Sequence, residues 1–135
     1  MARPSFDDSL MTGDPLVDAQ HRKLYEKVNE LQDAIRASRE RGCIDDLVDD
    51  VVRLAQAHFT DEEALMESHD YPGLDEQRRL HEEFRTDVAR MRSEFESDGC
   101  GVPLRFAVFL HEWLVRHMRL EDRKIVAYIR SQHEA

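Results

Sequence analysis

Seven polar side chains sit at positions that helical periodicity would reserve for a hydrophobic core. Apolar residues recur at alternating spacings of three and four in four segments, the repeat that lines up one face of an α-helix. The first segment, from about Val17 to Arg39, carries His21, Leu24, Val28, Leu31 and Ile35, and a turn is expected at Arg41-Gly42. From near Ile44 a second stripe reads Ile44, Leu47, Val51, Leu54, His58, Glu62 and Leu65, widened by Val48, Ala55 and Met66. It stops before Asp70-Tyr71-Pro72-Gly73. The third begins near Leu74 and reads Leu74, Gln77, His81, Phe84, Val88, Met91 and Phe95 up to Asp98-Gly99. A fourth, opening at Pro103, shows two adjacent stripes: Phe106, Leu110, Trp113, His117 and Leu120, and Val115, Met118, Asp122, Ile125 and Ile129.

Loops of a few residues make successive helices antiparallel neighbours. The expected fold is therefore all-α, an up-down-up-down four-helix bundle over residues 16–132. Residues 1–15, broken by Pro4, Gly13 and Pro15, form a short N-terminal arm. A chain of 135 residues is one domain, long enough to bury a core without staples. Cys43 and Cys100 fall at one end of such a bundle and read as ordinary thiols.

The formal net charge of −10 disfavours nucleic acid as a partner, since phosphates would be repelled. No stretch approaches the roughly 18 apolar residues of a membrane span. The first fifteen residues have no apolar run like that of a signal peptide, so a cytoplasmic location is expected.

His21, His58, Glu62, Gln77, His81, His117 and Asp122 all lie on core-facing stripes, at least one from every helix. Burying a carboxylate or an unpaired imidazole costs several kcal/mol unless something compensates. No Lys or Arg lies on any stripe, so two core carboxylates call for a bound cation. His58 and Glu62 are four residues apart, as are Gln77 and His81, and such pairs share a helix face. His117 and Asp122 are five apart, about 140° around an ideal helix. Glu121 is the simpler partner by spacing, but Met118 and Ile125 flank Asp122 on a buried face. Mixed imidazole and carboxylate donors suit iron, manganese or zinc, and this many exceed one tetrahedral site. The set fits a dinuclear centre, with redox-active iron the natural occupant. A lone core histidine is more often simply hydrogen-bonded; it is the joint pattern that points to metal. His69, His111 and His133 read as surface residues, and Phe59 and Trp113 as core side chains near the ligands that wall the site.

Together these residues resemble the hemerythrin family, particularly its single-domain bacterial members, from about Asp14 to Ile129. The matching pieces are Asp18-Ala-Gln-His21, the His58-to-Met66 run with its His-x-x-x-Glu, the segment from Tyr71-Pro72 through Gln77 and His81 to Phe84, and Trp113 to His117 with Asp122. The resemblance implies two non-haem irons bridged by Glu62, Asp122 and a solvent-derived oxo or hydroxo group. One iron would take His21 and His58 and keep a position open for reversible dioxygen binding. The other would take His81, His117 and a third histidine at position 77, where this chain has Gln. Gln77 then ligates through its amide oxygen, holds a water in place of the ring, or leaves that iron open or loosely held.

The expected function is dioxygen binding, for storage, delivery or sensing. The alternatives are a modified site acting on peroxide or nitric oxide, and an interaction module responsive to redox state or oxygen. A metal-free structural bundle is disfavoured by the buried carboxylates. Any protein partner or reductant is expected to be a separate chain.

Overall fold

A computed structural model describes residues 11–98 and 103–134, with the side chains of 41, 97, 98, 133 and 134 excepted. Helix α1 spans Pro15–Arg36, α2 Arg41–Ser68 and α3 Leu74–Asp98. The fourth rod is composite: α4 (Leu104–Arg116), a π-helical turn (His117–Asp122) and α5 (Arg123–Glu134). α1 packs on α2 and on α4, and α2 packs on α3, as an up-down-up-down bundle requires. Among the described residues there is no strand, and no helix is long and apolar enough to cross a membrane.

The start of α1 is fixed locally. Asp14 caps it by accepting from the Val17 amide at 3.0 Å, and Pro15 occupies the first turn, where its missing N–H costs nothing. Buried Asp18 reaches back, accepting from the Thr12 amide at 2.7 Å, the Thr12 hydroxyl at 2.8 Å and the Gly13 amide at 3.1 Å. Residues 12 and 13 of the expected arm are thereby tied to the bundle; residues 1–10 lie outside the described region.

Two reversals use the same device. Ser38 takes a φ of 54° while the Arg39 amide donates to Ala34 O, and Asp70 takes a φ of 49° while the Tyr71 amide donates to Met66 O. A left-handed residue after the last turn lets the following amide satisfy an orphan carbonyl. The first reversal therefore comes before Arg41-Gly42, where the sequence suggested it, and Gly42 lies in the first turn of α2.

The core runs the length of the bundle through Leu24, Val28 and Leu31 of α1, Val48, Val51 and Ala55 of α2, Phe84 and Val88 of α3, and Phe106 and Leu110 of α4. Leu120 is a correction: expected on a buried stripe, it is 45% exposed. It lies in the π turn, whose wider winding breaks the 3.6-residue phase on which that stripe was built. Cys43 is an exposed free thiol; Cys100 lies outside the described residues.

Candidate metal centre

All seven polar residues picked from the stripes are buried: His21, His58, Glu62, Gln77, His81, His117 and Asp122. Six of them form two ligand groups that share one member. His21, His58, Glu62 and Asp122 make the first, and Glu62, His81 and His117 the second, with the ligand atoms of each group within 4.8 Å of one another.

The two carboxylates are placed as bridges. Glu62 Oε2 lies 3.0 Å from His58 Nε2, while its Oε1 lies 3.2 Å from both His81 Nε2 and His117 Nε2. Asp122 Oδ2 lies 2.6 Å from His21 Nε2 and 3.1 Å from His58 Nε2, and Oδ1 lies 3.1 Å from His117 Nε2. The π turn makes the second bridge possible. Its i→i+5 winding brings residues five apart onto one face, so His117 and Asp122 both turn inward. π turns of this kind are frequent at functional sites.

The imidazoles are oriented from behind. His58 Nδ1 donates to Gln20 Oε1 at 2.8 Å, and the Gln20 amide nitrogen in turn donates to Asp61 at 2.9 Å. His81 Nδ1 donates to Glu63 Oε2 at 2.8 Å. A proton fixed on Nδ1 leaves the Nε2 lone pair facing the cluster, the arrangement a metal-binding histidine needs. Phe59, fully buried, stacks on His81 with centroids 4.0 Å apart, and Trp113 stacks on His117 at 4.9 Å. They wall the site as the sequence suggested.

Whether a cation fits is decided by how these nitrogens meet. His21 Nε2 is 3.2 Å from His58 Nε2, and His81 Nε2 is 3.2 Å from His117 Nε2. Two imidazole lone pairs at that distance repel unless a proton or a metal lies between them. Burial opposes charge on His58 and His117, yet Asp122 and Glu62 more than offset it and raise both to about 10. Burial would also raise Asp122, but His117, His21 and His58 hold it well below the usual carboxylate range. Burial and Asp122 push Glu62 up, and His117, His58 and His81 outweigh them and lower it. The cluster thus concentrates negative charge that draws cations inward, and metal ions can take the place of the protons. Gln77 Oε1 and Asp122 Oδ1 are buried with no aligned hydrogen-bond partner. Unsatisfied acceptors beside converging ligands are what a metal would complete. The donor set therefore fits two cations.

Gln77 is 2% exposed and lies one turn before His81 on the same face of α3. Its amide nitrogen donates to Glu121 Oε2 at 2.6 Å. Glu121, the naive alternative to Asp122, is thus not in either ligand group but does touch the site. Gln20 and Glu63 escaped the sequence reading because each sits off the apolar stripe; their only signal was adjacency to a ligand residue. His111 is half-buried rather than exposed, tilted against Tyr25 at 5.5 Å, with its pKa lowered by burial. His69 is half-buried as well, and the His133 side chain lies outside the described set.

The contact behind His81 gives a direct expectation. Glu63→Ala frees the ring and its tautomer, so affinity for ferrous iron should fall about 10- to 100-fold with the helical circular dichroism unchanged. A binding isotherm matching that of the parent protein would show that Glu63 does not set the ring.

Residues 12–129 match the family model described as the hemerythrin HHE cation binding domain. The bacteriohemerythrin of Stenotrophomonas maltophilia is 32% identical over 97% of this chain and 84% of its own length. The myohemerythrin of Theromyzon tessulatum is 27% identical over 80% of this chain and 78% of its own length. A crystal structure of wild-type hemerythrin superposes with a TM-score of 0.81 at 24% identity, covering 90% of this chain and 94% of that one, which shows the shared fold. Bundle, buried ligand set and sequence match agree: the chain belongs to the hemerythrin family.

Proposed function

We propose that this protein holds two non-haem iron ions and binds dioxygen reversibly between the helices of the bundle, for storage, delivery or sensing. The observation that carries the reading is the sharing of Glu62 and Asp122 between two imidazole pairs in a buried pocket. When bound, the iron pair supplies the electrons and the coordination position that dioxygen requires.

The residues divide the remaining work. Glu62 and Asp122 would serve both ions. His21 and His58 would hold one of them. His81 and His117 would hold the other, with Gln77 offering its amide oxygen there. Phe59 and Trp113 limit entry of water and protons, which favours release of dioxygen intact over its reduction.

A second reading, action on peroxide or nitric oxide, draws support from one feature. A cleft of about 290 Å³ lined by Leu80, Trp113, His117 and Glu121, among others, opens against the His117 side of the cluster. The cleft reaches His117, which would serve the same position as Gln77.

Spectra of the reduced, iron-loaded protein separate the two. An absorption that forms in air and vanishes on deoxygenation supports binding; rapid conversion to a ferric form with turnover of added peroxide supports the second reading. Gln77→His exchanges a neutral oxygen donor for a stronger nitrogen donor. It should raise iron retention and lengthen the lifetime of the oxygenated form. If neither changes, Gln77 either is not at the metal or already serves as well as a histidine.

A further inference from the structure

An amide side chain is a poor choice of ligand for a plain reason: its two ends have nearly the same shape. Only the oxygen can ligate, and rotation by half a turn presents an NH₂ group instead. Something must choose the end. We propose that Glu121 is a positioning residue that locks the Gln77 amide with its oxygen toward the second metal position. This inference rests on the dinuclear reading above.

The geometry shows how the choice is made. Glu121 Oε2 accepts from Gln77 Nε2 at 2.6 Å. A carboxylate at neutral pH has no proton to donate, so only the nitrogen end of Gln77 can face it. The oxygen end then lies on the opposite side of the amide carbon, where Oε1 is buried and without a hydrogen-bond partner. Gln77 is almost fully enclosed, so a mis-set amide cannot correct itself by turning to solvent. Among the described residues Glu121 has no strong competing tie: its Oε1 lies 3.9 Å from Lys124 Nζ, and that lysine side chain is 66% exposed. A charge-assisted bond to the nitrogen also draws electron density toward the amide oxygen, making it a better donor.

The arrangement also reinterprets the neighbouring pair of acids in the π turn. Asp122 faces inward as a bridge, and Glu121 reaches sideways to α3. One residue supplies a ligand atom, and the next aims the ligand of another helix. A histidine at position 77 would call for a partner that fixes its tautomer, whereas glutamine needs one that fixes which end of its amide faces the metal.

Anaerobic equilibrium dialysis against ferrous iron tests the assignment. The parent chain should bind two irons. Glu121→Gln, which removes the charge but keeps the shape, and Glu121→Ala should each weaken the second iron at least about tenfold while leaving the first unchanged. In a Gln77→Ala background, adding Glu121→Gln should change nothing further, because the amide it aims is gone. In a Gln77→His background, Glu121→Gln should leave two irons bound. Parent-like affinity for the second iron in both Glu121 variants would overturn the proposal. So would an equal additional loss in the Gln77→Ala background, which would mean that Glu121 acts directly. Fewer than two irons in the parent chain would instead overturn the dinuclear reading, and the inference with it.

Discussion

Glu62→Ala should reduce iron binding from two ions per chain to one or fewer and should cost the folded protein several kcal/mol. Glu62 is the residue common to both ligand groups among the described residues. Its two oxygens reach His58 on one side and His81 and His117 on the other. Removing it takes a ligand from both metal positions at once. It also strips three buried imidazoles of their acceptor, and breaking a buried charge network by deleting one partner costs roughly 3–5 kcal/mol. For a domain of this size that corresponds to a fall in melting temperature of roughly 10–20 °C. Iron analysis after anaerobic loading, paired with thermal melts, reads both effects. Iron content equal to that of the parent would refute the bridging role.

The second large effect should come from the metal itself. A ligand that binds only the folded state stabilises it by about 4 kcal/mol when present at a thousandfold its dissociation constant. The ligands here come from all four rods of the bundle, so the unfolded chain cannot assemble them. Loading with ferrous iron under argon should therefore raise the melting temperature by roughly 10–20 °C, and a chelator should reverse it. The stabilisation should weaken as the pH falls, because His58 and His117, raised to about 10 by Asp122 and Glu62, hold protons that the metal must displace. Melting curves that superimpose with and without iron would mean that the cluster is not a metal site.

Much of this was legible in the chain, for identifiable reasons. His58/Glu62 and Gln77/His81 sit at i and i+4, where a straight helix puts both on one face, and both pairs are found together and buried. His21, with Leu24, Val28 and Leu31 following it at helical spacing, was equally plain. The fourth rod was harder. Ideal winding puts Asp122 well around the helix from His117 and makes Leu120 a core residue, because periodicity has no term for a π turn. The structure inserts that turn at the ligands, bringing Asp122 in and putting Leu120 out. The second of the two adjacent stripes placed Asp122 between Met118 and Ile125 on a buried face, and all three are buried.

What lay beyond the sequence were contacts made between helices by residues with ordinary surface character. Gln20 and Glu63 each neighbour a ligand and, by pattern alone, look like solvent-facing residues. Their role depends on which imidazole nitrogen they meet across the bundle. Glu121 is the sharpest case. Spacing offered it as a ligand and burial ruled it out, yet it holds the amide of Gln77, 44 residues away in sequence. The first reversal was misplaced for a related reason. A glycine is the usual left-handed residue at a helix end, and here Ser38 takes that conformation, so Arg41-Gly42 marks a helix start and not the turn.

The proposed function turns on Glu62 and Asp122 holding two metal ions side by side in one buried pocket. Iron-edge X-ray absorption on protein loaded anaerobically to saturation addresses it most directly. The expected result is two irons per chain, nitrogen and oxygen donors around each, and an iron–iron distance of roughly 3.5–4 Å, the separation usual for bridged pairs. Saturation at one iron per chain, with no iron–iron scattering at any distance, would contradict it.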